Sequence, residues 1–248
     1  MLILVSNDDG VDSQGIRILA RALRRIRGSE VVIVAPDREQ SAASHALTLH
    51  RPLRSRRVSK NIFAVDGTPT DSVSLAVHSL LKKRPALIVS GINRGANLGE
   101  DVHYSGTVSA ALEGAILGIP AIAVSMVGQG RFNFDYAARF ALRLARVVLK
   151  RGLPPGVVLN VNVPNLKASE ILGVAFTRLG KHNYGGVIVQ KVDPRGRPYY
   201  WIGGSPDEFE HRPGSDCQAF LERKISITPI KVDLTDFTFL SKLKRWDI

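Results

Sequence analysis

Short apolar runs alternate along the chain with segments whose apolar residues recur every three or four positions. The short runs are rich in Val and Ile, which is typical of strands that are covered on both faces. We predict strands at Leu2–Val5, Val31–Ala35, Leu87–Val89, Ala121–Val124 and Val157–Val163. This alternation of strand and helix predicts a layered α/β domain with a mostly parallel sheet.

Four helices are predicted among these strands. The first places Ile16, Leu19 and Leu23 on one face and arginines on the opposite face, and Ser13 is suited to cap its start. The other three are predicted at Pro69–Leu81, Thr107–Leu117 and Tyr136–Lys150.

The pattern changes after about residue 165. Two β-prone segments, Gly185–Val192 and Arg197–Gly203, flank the turn sequence Asp193-Pro194-Arg195-Gly196, which predicts a hairpin. The remaining elements are predicted as a short helix near Cys217–Glu222, a strand at Lys224–Ile230 and a helical stretch near Leu234–Leu243.

We predict a single domain over residues 1–248, in which an α/β core at residues 1–165 carries the functional site. Residues 166–248 are predicted as a β-hairpin and terminal-helix extension. A protruding hairpin and a terminal helix often serve subunit contacts, so residues 185–203 are a candidate contact. The alternative is that the extension packs on the core of its own chain.

Composition narrows the class of protein. The chain is 44% hydrophobic and 23% charged, as an ordinary globular protein is. Its one cysteine, Cys217, excludes an internal disulfide framework and a multi-cysteine zinc site. The apolar runs are shorter than the ~18–20 residues of a membrane span. Met1–Val5 does not follow a basic segment as a secretory signal does, so we expect a cytoplasmic protein.

The charge balance indicates an anionic partner. Thirty-four Lys and Arg residues against 22 Asp and Glu give a net charge of +12. Nucleic acid, an acidic membrane and phosphorylated small molecules all fit this charge, and so does a basic surface without a specific partner. Charge alone does not choose among them.

The loop after the first strand carries the adjacent carboxylates Asp8 and Asp9. In open α/β sheets, ligands bind beyond the carboxyl ends of the strands. Adjacent carboxylates repel one another unless a cation or a proton lies between them, and such oxygen ligands suit Mg²⁺, Mn²⁺ or Ca²⁺. The alternative is that one aspartate caps the next helix. The chain has no G-x-G-x-x-G in this loop and no P-loop motif anywhere.

Polar residues also follow the other predicted strands. Ser41 lies in the loop after the second strand, and Asn93 and Asn97 lie in a glycine-rich loop after the third. Ser105 and Thr107 lie at the start of the third helix, where hydroxyls and backbone N–H groups form a phosphate cradle or simply cap the helix. Together these loops predict a cation beside an anion, which is a phosphoester site.

Five motifs in one order resemble those of the survival protein E (SurE) nucleotidases. They are Ser6-Asn7-Asp8-Asp9-Gly10, Ala35-Pro36-Asp37-Arg38…Ser41, Gly67-Thr68-Pro69-Thr70-Asp71, Ser90-Gly91-Ile92-Asn93…Gly95-Ala96-Asn97-Leu98-Gly99 and Tyr104-Ser105-Gly106-Thr107-Val108. The resemblance runs from residue 1 to about residue 125 and more loosely to the end.

The resemblance implies a three-layer, Rossmann-like fold and a divalent-metal-dependent phosphatase. Such an enzyme releases phosphate from nucleoside 5′- and 3′-monophosphates, and some members act on short polyphosphate. It also implies one Mg²⁺ or Mn²⁺ ion per subunit and a homodimer or homotetramer. We expect neither a membrane partner nor a stable nucleic acid partner.

The family's site residues are carried over position by position. The implied metal ligands are Asp8, Asp9, Ser41 and Asn93. The implied phosphate-binding residues are Asn97, Ser105, Gly106 and Thr107. Asp8 and Asp9 are also the expected catalytic residues, and Asp9 either positions the attacking water as a base or attacks phosphorus itself. His45 and His103 lie near these loops, either as proton donors or as structural residues.

Two other functions remain as alternatives. An aspartyl-phosphate hydrolase usually carries Asp-x-Asp after its first strand, which the adjacent pair Asp8-Asp9 matches poorly. A basic RNA-binding module fits the net charge, but the sequence has no RNP-type aromatic signature and no KH-like clamp. The few aromatic residues are not arranged along the sequence as a stacking platform for bases.

Overall fold

The structure is a computed structural model that describes residues 1–181, 188–202, 210 and 212–246. Its strands are β1 (Leu2–Ser6), β2 (Glu30–Pro36), β3 (Ser55–Ser59), β4 (Ile62–Val65), β5 (Leu87–Arg94), β6 (Ala121–Val127), β7 (Val157–Pro164), β8 (Val174–Phe176), β9 (Ile188–Val192), β10 (Pro198–Ile202) and β11 (Ile225–Lys231). Its α-helices are α1 (Gln14–Leu23), α2 (Pro69–Leu75), α3 (Gly106–Ile116), α4 (Asp135–Arg151), α5 (Asp216–Leu221) and α6 (Phe237–Leu243).

Nine strands form one sheet in the order β3-β4-β2-β1-β5-β6-β7-β11-β8. The six neighbouring strands β4, β2, β1, β5, β6 and β7 run parallel to one another. Strand β3 is antiparallel to β4, and β11 is antiparallel to β7. The prediction of a mostly parallel sheet is therefore confirmed, and the loops after β1, β2, β5 and β6 all leave the sheet at the same edge.

The sheet lies between two helical layers. Ile3 and Val5 of β1 pack on the side of α1 and α4, whereas Leu2 and Leu4 pack on the side of α2 and α3. Because side chains alternate along a strand, one apolar run supplies both cores. This arrangement confirms the three-layer α/β prediction.

The structure differs from the sequence prediction mainly at the sheet edges. The hairpin of β3 and β4 was not predicted, because β3 is fully exposed and rich in arginine, so it carries no apolar pattern. Helix α2 starts at Pro69 as predicted, and Thr68 and Asp71 form a capping box there. It ends at Leu75, and a single π-helical turn at Ala76–Leu80 covers the rest of the predicted helix.

The C-terminal third contributes to the main sheet as well as extending from it. Strands β8 and β11 complete one edge of the nine-stranded sheet, whereas β9 and β10 form a separate two-stranded sheet. This hairpin matches the predicted one, of which residues 185–187 and 203 lie outside the described residues. Helices α5 and α6 confirm the two predicted helical segments. Within the described ranges, no helix is both long enough and apolar enough to span a bilayer.

Candidate active site at the carboxyl ends of the strands

An open pocket of about 270 Å³ lies at the carboxyl ends of β1 and β5. The loops after parallel strands meet there, so residues far apart in sequence become neighbours. The pocket is lined by all four predicted metal ligands, Asp8, Asp9, Ser41 and Asn93, and by two predicted phosphate-binding residues, Asn97 and Ser105. The other two, Gly106 and Thr107, begin α3 directly behind Asp8.

Asp8 is held by the start of α3. Its side chain accepts a hydrogen bond from the Thr107 backbone N–H at 2.9 Å and a second from the Thr107 hydroxyl. Asp8 is only 7% exposed, and this burial raises the pKa of its carboxyl although the bonds from Thr107 act to lower it. A Cβ on Gly106 would lie 2.8 Å from the Asp8 Cβ, so this close approach requires glycine.

Asp9 lies beside Asp8 and is more open to solvent. Burial, followed by the negative charge of Asp8, raises the pKa of Asp9 to about 6. The Arg94 backbone N–H lies 3.4 Å from the Asp9 Oδ2 and lowers the pKa, but by less. Two carboxylates that disfavour each other's ionised form create a place where a cation would be stabilised.

Asn93 lies near the end of β5, which extends further than predicted, and Asn97 lies in the loop that follows it. The Asn93 side-chain N–H donates to the Gly95 carbonyl at 3.1 Å, which fixes the orientation of the amide in the pocket wall. Asn97 is buried, and its side-chain amide donates to the Ser125 Oγ at 2.6 Å. Both asparagines are therefore held in place before any ligand binds.

Two further asparagines of β7 support Asn97. The Asn97 backbone N–H donates to the Asn162 Oδ1 at 2.9 Å, and its carbonyl accepts bonds from the side-chain amides of Asn160 and Asn162 at 2.8 and 3.0 Å. These residues were missed from the sequence. Their only signal is the polar alternation Asn160-Val161-Asn162 within an otherwise apolar buried strand.

The loop that carries Ser41 is tied to the site at several points. The Gln40 backbone N–H donates to the Asp8 carbonyl at 2.8 Å, and the Ser44 backbone N–H donates to the Tyr104 carbonyl at 3.1 Å. The Ser41 Oγ donates to Glu39 Oε1 at 2.5 Å. Glu39 and Asp101 are two further carboxylates that line the pocket, and neither was predicted from the sequence.

Comparison with known proteins identifies the family. A family model described as "Survival protein SurE" matches residues 3–186, well over half of the chain. The chain belongs to the SurE family. A SurE relative from Geobacter sulfurreducens, named 5'-nucleotidase SurE, is 56% identical over 249 aligned residues that cover 100% of this chain and 94% of the relative.

Further comparisons cover the whole SurE chain. A relative from Myxococcus xanthus with the same name is 54% identical and covers 99% of this chain and 93% of its own length. The crystal structure of SurE protein from Aquifex aeolicus superposes with a TM-score of 0.88 at 43% identity, and 98% of each chain is covered. The fold predicted by resemblance to this family is thus confirmed.

The donor set of this SurE chain fits a hard divalent cation. In the described part of the chain, no group of three or more His, Cys, Asp or Glu side chains is placed to hold a metal ion. The pocket instead brings together the carboxylates of Asp8 and Asp9, the Ser41 hydroxyl and the Asn93 amide. Mg²⁺ and Mn²⁺ prefer oxygen ligands of these kinds and retain water at the remaining positions.

The two histidines near the motifs lie outside the residues that line this pocket. His45 Nε2 lies 3.1 Å from the Glu113 Oε2 of α3, which ties the Ser41 loop to that helix. His103 and His45 both line a neighbouring cavity of about 420 Å³. This placement favours the structural interpretation of His45 over the proton-donor interpretation.

Proposed function

We propose that this SurE-family chain is a divalent-metal-dependent phosphatase that hydrolyses nucleoside 5′-monophosphates. We propose nucleoside 3′-monophosphates and short polyphosphate as further substrates. The observation that carries the proposal is the pair Asp8 and Asp9, two adjacent carboxylates of raised pKa in an open pocket that also holds Ser41 and Asn93. The name 5'-nucleotidase SurE, which relatives of matching length carry, supports the substrate class.

In this proposal, one Mg²⁺ or Mn²⁺ ion per subunit is held by Asp8, Asp9, Ser41 and Asn93. When bound, the ion supplies positive charge that polarises a phosphoryl oxygen and lowers the pKa of a coordinated water. The bonds from Thr107 restrain Asp8, so its oxygens are preorganised rather than ordered on binding.

Asp9 is proposed to act on the nucleophile. As a base, it takes the proton that the attacking water loses while the water oxygen bonds to phosphorus and the ester bond breaks. As a nucleophile, its own oxygen bonds to phosphorus while the ester bond breaks and the nucleoside leaves, and water then cleaves the bond between Asp9 and the phosphoryl group in a second step, which releases phosphate and restores the carboxylate. Its partial exposure and its place beside the Arg94 N–H suit either role.

We propose that the phosphate-binding part of the site is formed by Asn97, Ser105, Gly106 and Thr107. The Ser105 Oγ accepts from the Val108 N–H at 3.1 Å, which leaves the Ser105 O–H as a donor toward the pocket. Thr107 donates both its N–H and its hydroxyl to Asp8, so it acts on the phosphate indirectly, by holding that carboxylate in position. Preorganised donors of this kind stabilise charge on the transferring phosphoryl group.

The test is phosphate release by Asp8→Asn and Asp9→Asn variants. Each substitution removes one negative charge at nearly constant volume, and we expect each to lower kcat/KM by at least about a hundredfold. The assay compares nucleoside 5′- and 3′-monophosphates and polyphosphate, with Mg²⁺, with Mn²⁺ and with a chelator.

Asp12→Asn is the matched control, because Asp12 is exposed and pairs with Arg17 outside the pocket. It should retain the activity of the unsubstituted chain. Activity that survives both pocket substitutions, or that is unchanged by the chelator, would contradict the proposal. Salt-sensitive RNA binding without turnover would favour the RNA-binding alternative.

We also propose that the chain assembles as a homodimer or homotetramer through its C-terminal third. Large apolar side chains are exposed there on several elements. They include Phe176 of β8, Trp201 of β10 and Leu234 before α6, at 83%, 63% and 84% exposure. Contiguous apolar patches on a globular protein mark interaction sites, and we propose that these side chains are covered by a second copy of the chain.

A further inference from the structure

A second cavity, of about 650 Å³, adjoins the carboxylate pocket, and Arg94 lines both. We name it the Phe132 cavity; it lies between the start of α1 and the loop that follows β6, and Phe132, Asn133 and Phe134 form part of its wall. Its volume is within the range of small-molecule sites. None of the residues assigned to metal or phosphate binding lines this cavity.

The wall of the Phe132 cavity contains a stacked group. The Phe132 and Phe134 rings lie 5.9 Å apart between centroids at an interplanar angle of 20°, and the Arg94 guanidinium lies 5.3 Å from the Phe132 centroid. Phe134 is buried, whereas Phe132 and Arg94 remain partly open to solvent. Aromatic rings and guanidinium planes are the surfaces on which proteins stack nucleobases.

The loop that carries Phe132 is held in shape by Asn165, the residue after β7. The Asn165 side-chain amide donates to the carbonyls of Gln129 and Arg131 at 3.1 and 3.2 Å, and its backbone N–H donates to the Val127 carbonyl at 2.7 Å. The ring is therefore positioned before a ligand arrives, which lowers the entropic cost of binding.

Arg94 connects the two cavities. Its backbone N–H faces Asp9, and its side chain covers Phe132. A nucleotide whose phosphate lies at Asp8 and Asp9 has its base one ribose away, and the neighbouring cavity that shares Arg94 with the carboxylate pocket is the Phe132 cavity. We propose that this cavity binds the nucleobase of the substrate, stacked on the Phe132–Arg94 pair; this inference rests on the proposed nucleotidase function.

The alternative platform is Tyr104, which lies on the wall of the carboxylate pocket and is 59% exposed. It is assigned no role in hydrolysis above, so Tyr104→Ala is the matched aromatic control. The inference expects a loss of nucleotide affinity when Phe132 is truncated and none when Tyr104 is truncated, and it expects no change in either variant for a substrate that lacks a base.

The experiment compares Phe132→Ala, Phe132→Trp and Tyr104→Ala with the unsubstituted chain, on adenosine 5′-monophosphate and on ribose 5-phosphate. Phe132→Ala should raise KM for the nucleotide about tenfold, the size of one lost base–aromatic stack, and leave kcat within about twofold. KM for ribose 5-phosphate should stay within about twofold, since it has no base to stack. Phe132→Trp should restore nucleotide KM.

Calorimetry with adenosine gives a second readout that needs neither hydrolysis nor the phosphate. Phe132→Ala should weaken adenosine binding by the same factor as it raises nucleotide KM, and Tyr104→Ala should not. The inference is overturned if Phe132→Ala changes KM for both substrates equally or for neither. It is also overturned if Tyr104→Ala, and not Phe132→Ala, raises KM for the nucleotide alone. If the unsubstituted chain hydrolyses neither substrate, the proposed function fails, and loss or retention of adenosine binding in Phe132→Ala still decides the inference.

Discussion

At the scale of single residues, the site shows how position in the fold separates two chemically identical side chains. Asp8 is buried and held by Thr107, whereas its neighbour Asp9 is partly open and accepts only a long bond from the Arg94 N–H. Burial raises the pKa of both, and the charge of Asp8 adds to the effect on Asp9. Concentrating negative charge in this way makes the site costly to fold without a cation.

This cost predicts a pH-dependent stability of the metal-free chain. The pKa of Asp9 rises from 3.8 to about 6 on folding, so the folded state holds the proton more tightly than the unfolded state. The associated stability is complete below the unfolded pKa and is lost as the pH rises through about 6. We expect Asp9→Asn to be more stable than the unsubstituted chain at pH 7 in a chelator, and equally stable at pH 4.

The expected difference at pH 7 is about 1–2 kcal/mol. It is smaller than the ~3 kcal/mol of a two-unit pKa shift, because solvent around Asp9 screens the repulsion. Denaturant unfolding curves across this pH range measure it, and Asp12→Asn is the exposed control. The interpretation would be contradicted if the stability of Asp9→Asn depended on pH in the same way as that of Asp12→Asn. Adding Mn²⁺ should remove the loss of stability that the unsubstituted chain shows as the pH rises.

The sequence predicted those candidate site residues that lie at the carboxyl end of a strand or at the start of a helix. Asp8 follows β1, Asn93 lies near the end of β5 and Ser105 starts α3, and the parallel sheet makes these positions converge. Asn160 and Asn162 could not be assigned in the same way, because a polar residue within a strand does not reveal which loop it will contact. Their role depends on the pairing of β6 with β7, which is a long-range property.

At the scale of elements, the start of α3 and the end of β1 form one unit. The backbone of α3 approaches Asp8 so closely that no side chain fits at Gly106. Helix α2 joins this contact, since a Cβ on Gly106 would also lie 3.0 Å from the Pro69 Cγ. The start of α3 is thus confined by α2 on one side and by Asp8 on the other.

Gly106→Ala should therefore displace Asp8 and abolish most activity. A Cβ contact of 2.8 Å with the Asp8 Cβ requires one backbone to move, and shifts of about 1 Å in a catalytic group cost on the order of a hundredfold in rate. Phosphate-release kinetics measure the loss, and circular dichroism should show an unchanged fold.

Gly114→Ala, two turns along the same helix, is the control for this change. The new Cβ there would meet the Ile88 Cδ1 at 2.7 Å, which is the movable end of a side chain rather than a catalytic group. We expect that variant to lose some stability and to keep its kcat. Equal kinetic losses in both variants would mean that α3 packing as a whole, and not its contact with Asp8, supports activity.

Strands that are buried on both faces were predicted from the sequence, whereas exposed edge strands were not. β1, β2, β5, β6 and β7 were found because burial on both faces demands continuous apolar runs. β3 and the three-residue β8 were missed, since exposed edge strands need only backbone pairing to form. The loop that joins β6 to α4 likewise gave no hint that Phe132 would approach Arg94.

At the scale of the whole molecule, much of the net charge of +12 lies on one helical layer. Exposed cations extend along α1 and α4, which pack side by side on one face of the sheet. They are Arg17, Arg21, Arg24, Arg25, Arg139, Arg143, Arg146, Lys150 and Arg151. α1 starts at the wall of the Phe132 cavity, so this field extends to the proposed nucleobase site.

Electrostatic steering of anionic substrates should follow. We expect kcat/KM for a nucleoside monophosphate to fall several-fold between about 20 and 500 mM salt while kcat changes little, because screening weakens long-range attraction. Steady-state kinetics at fixed metal concentration measure this. Replacing Arg21 and Arg25 by glutamine should flatten the dependence, and an unchanged salt profile would show that the basic layer does not steer substrate.

The exposed apolar side chains of the C-terminal third lead to the last prediction, which concerns assembly. Strands β9 and β10 pair only with each other among the described strands, yet they expose Ile188, Tyr200 and Trp201. A two-stranded ribbon is marginally stable in water unless its face packs against another surface. A second copy of the chain would supply that surface, and Leu234 and Phe237, before and at the start of α6, are exposed as well.

Light scattering should therefore give two or four times the chain mass of 27.0 kDa. Trp201→Glu would place a charge among the exposed apolar side chains of the hairpin and shift the protein toward the monomer, whereas Ser59→Glu adds the same charge at an exposed position of β3, outside the C-terminal third, and should not. A monomeric unsubstituted chain, or equal dissociation by both variants, would exclude this face as the subunit contact. Because every residue that lines the carboxylate pocket precedes residue 106, kcat of a dissociated Trp201→Glu monomer measures how far catalysis depends on assembly.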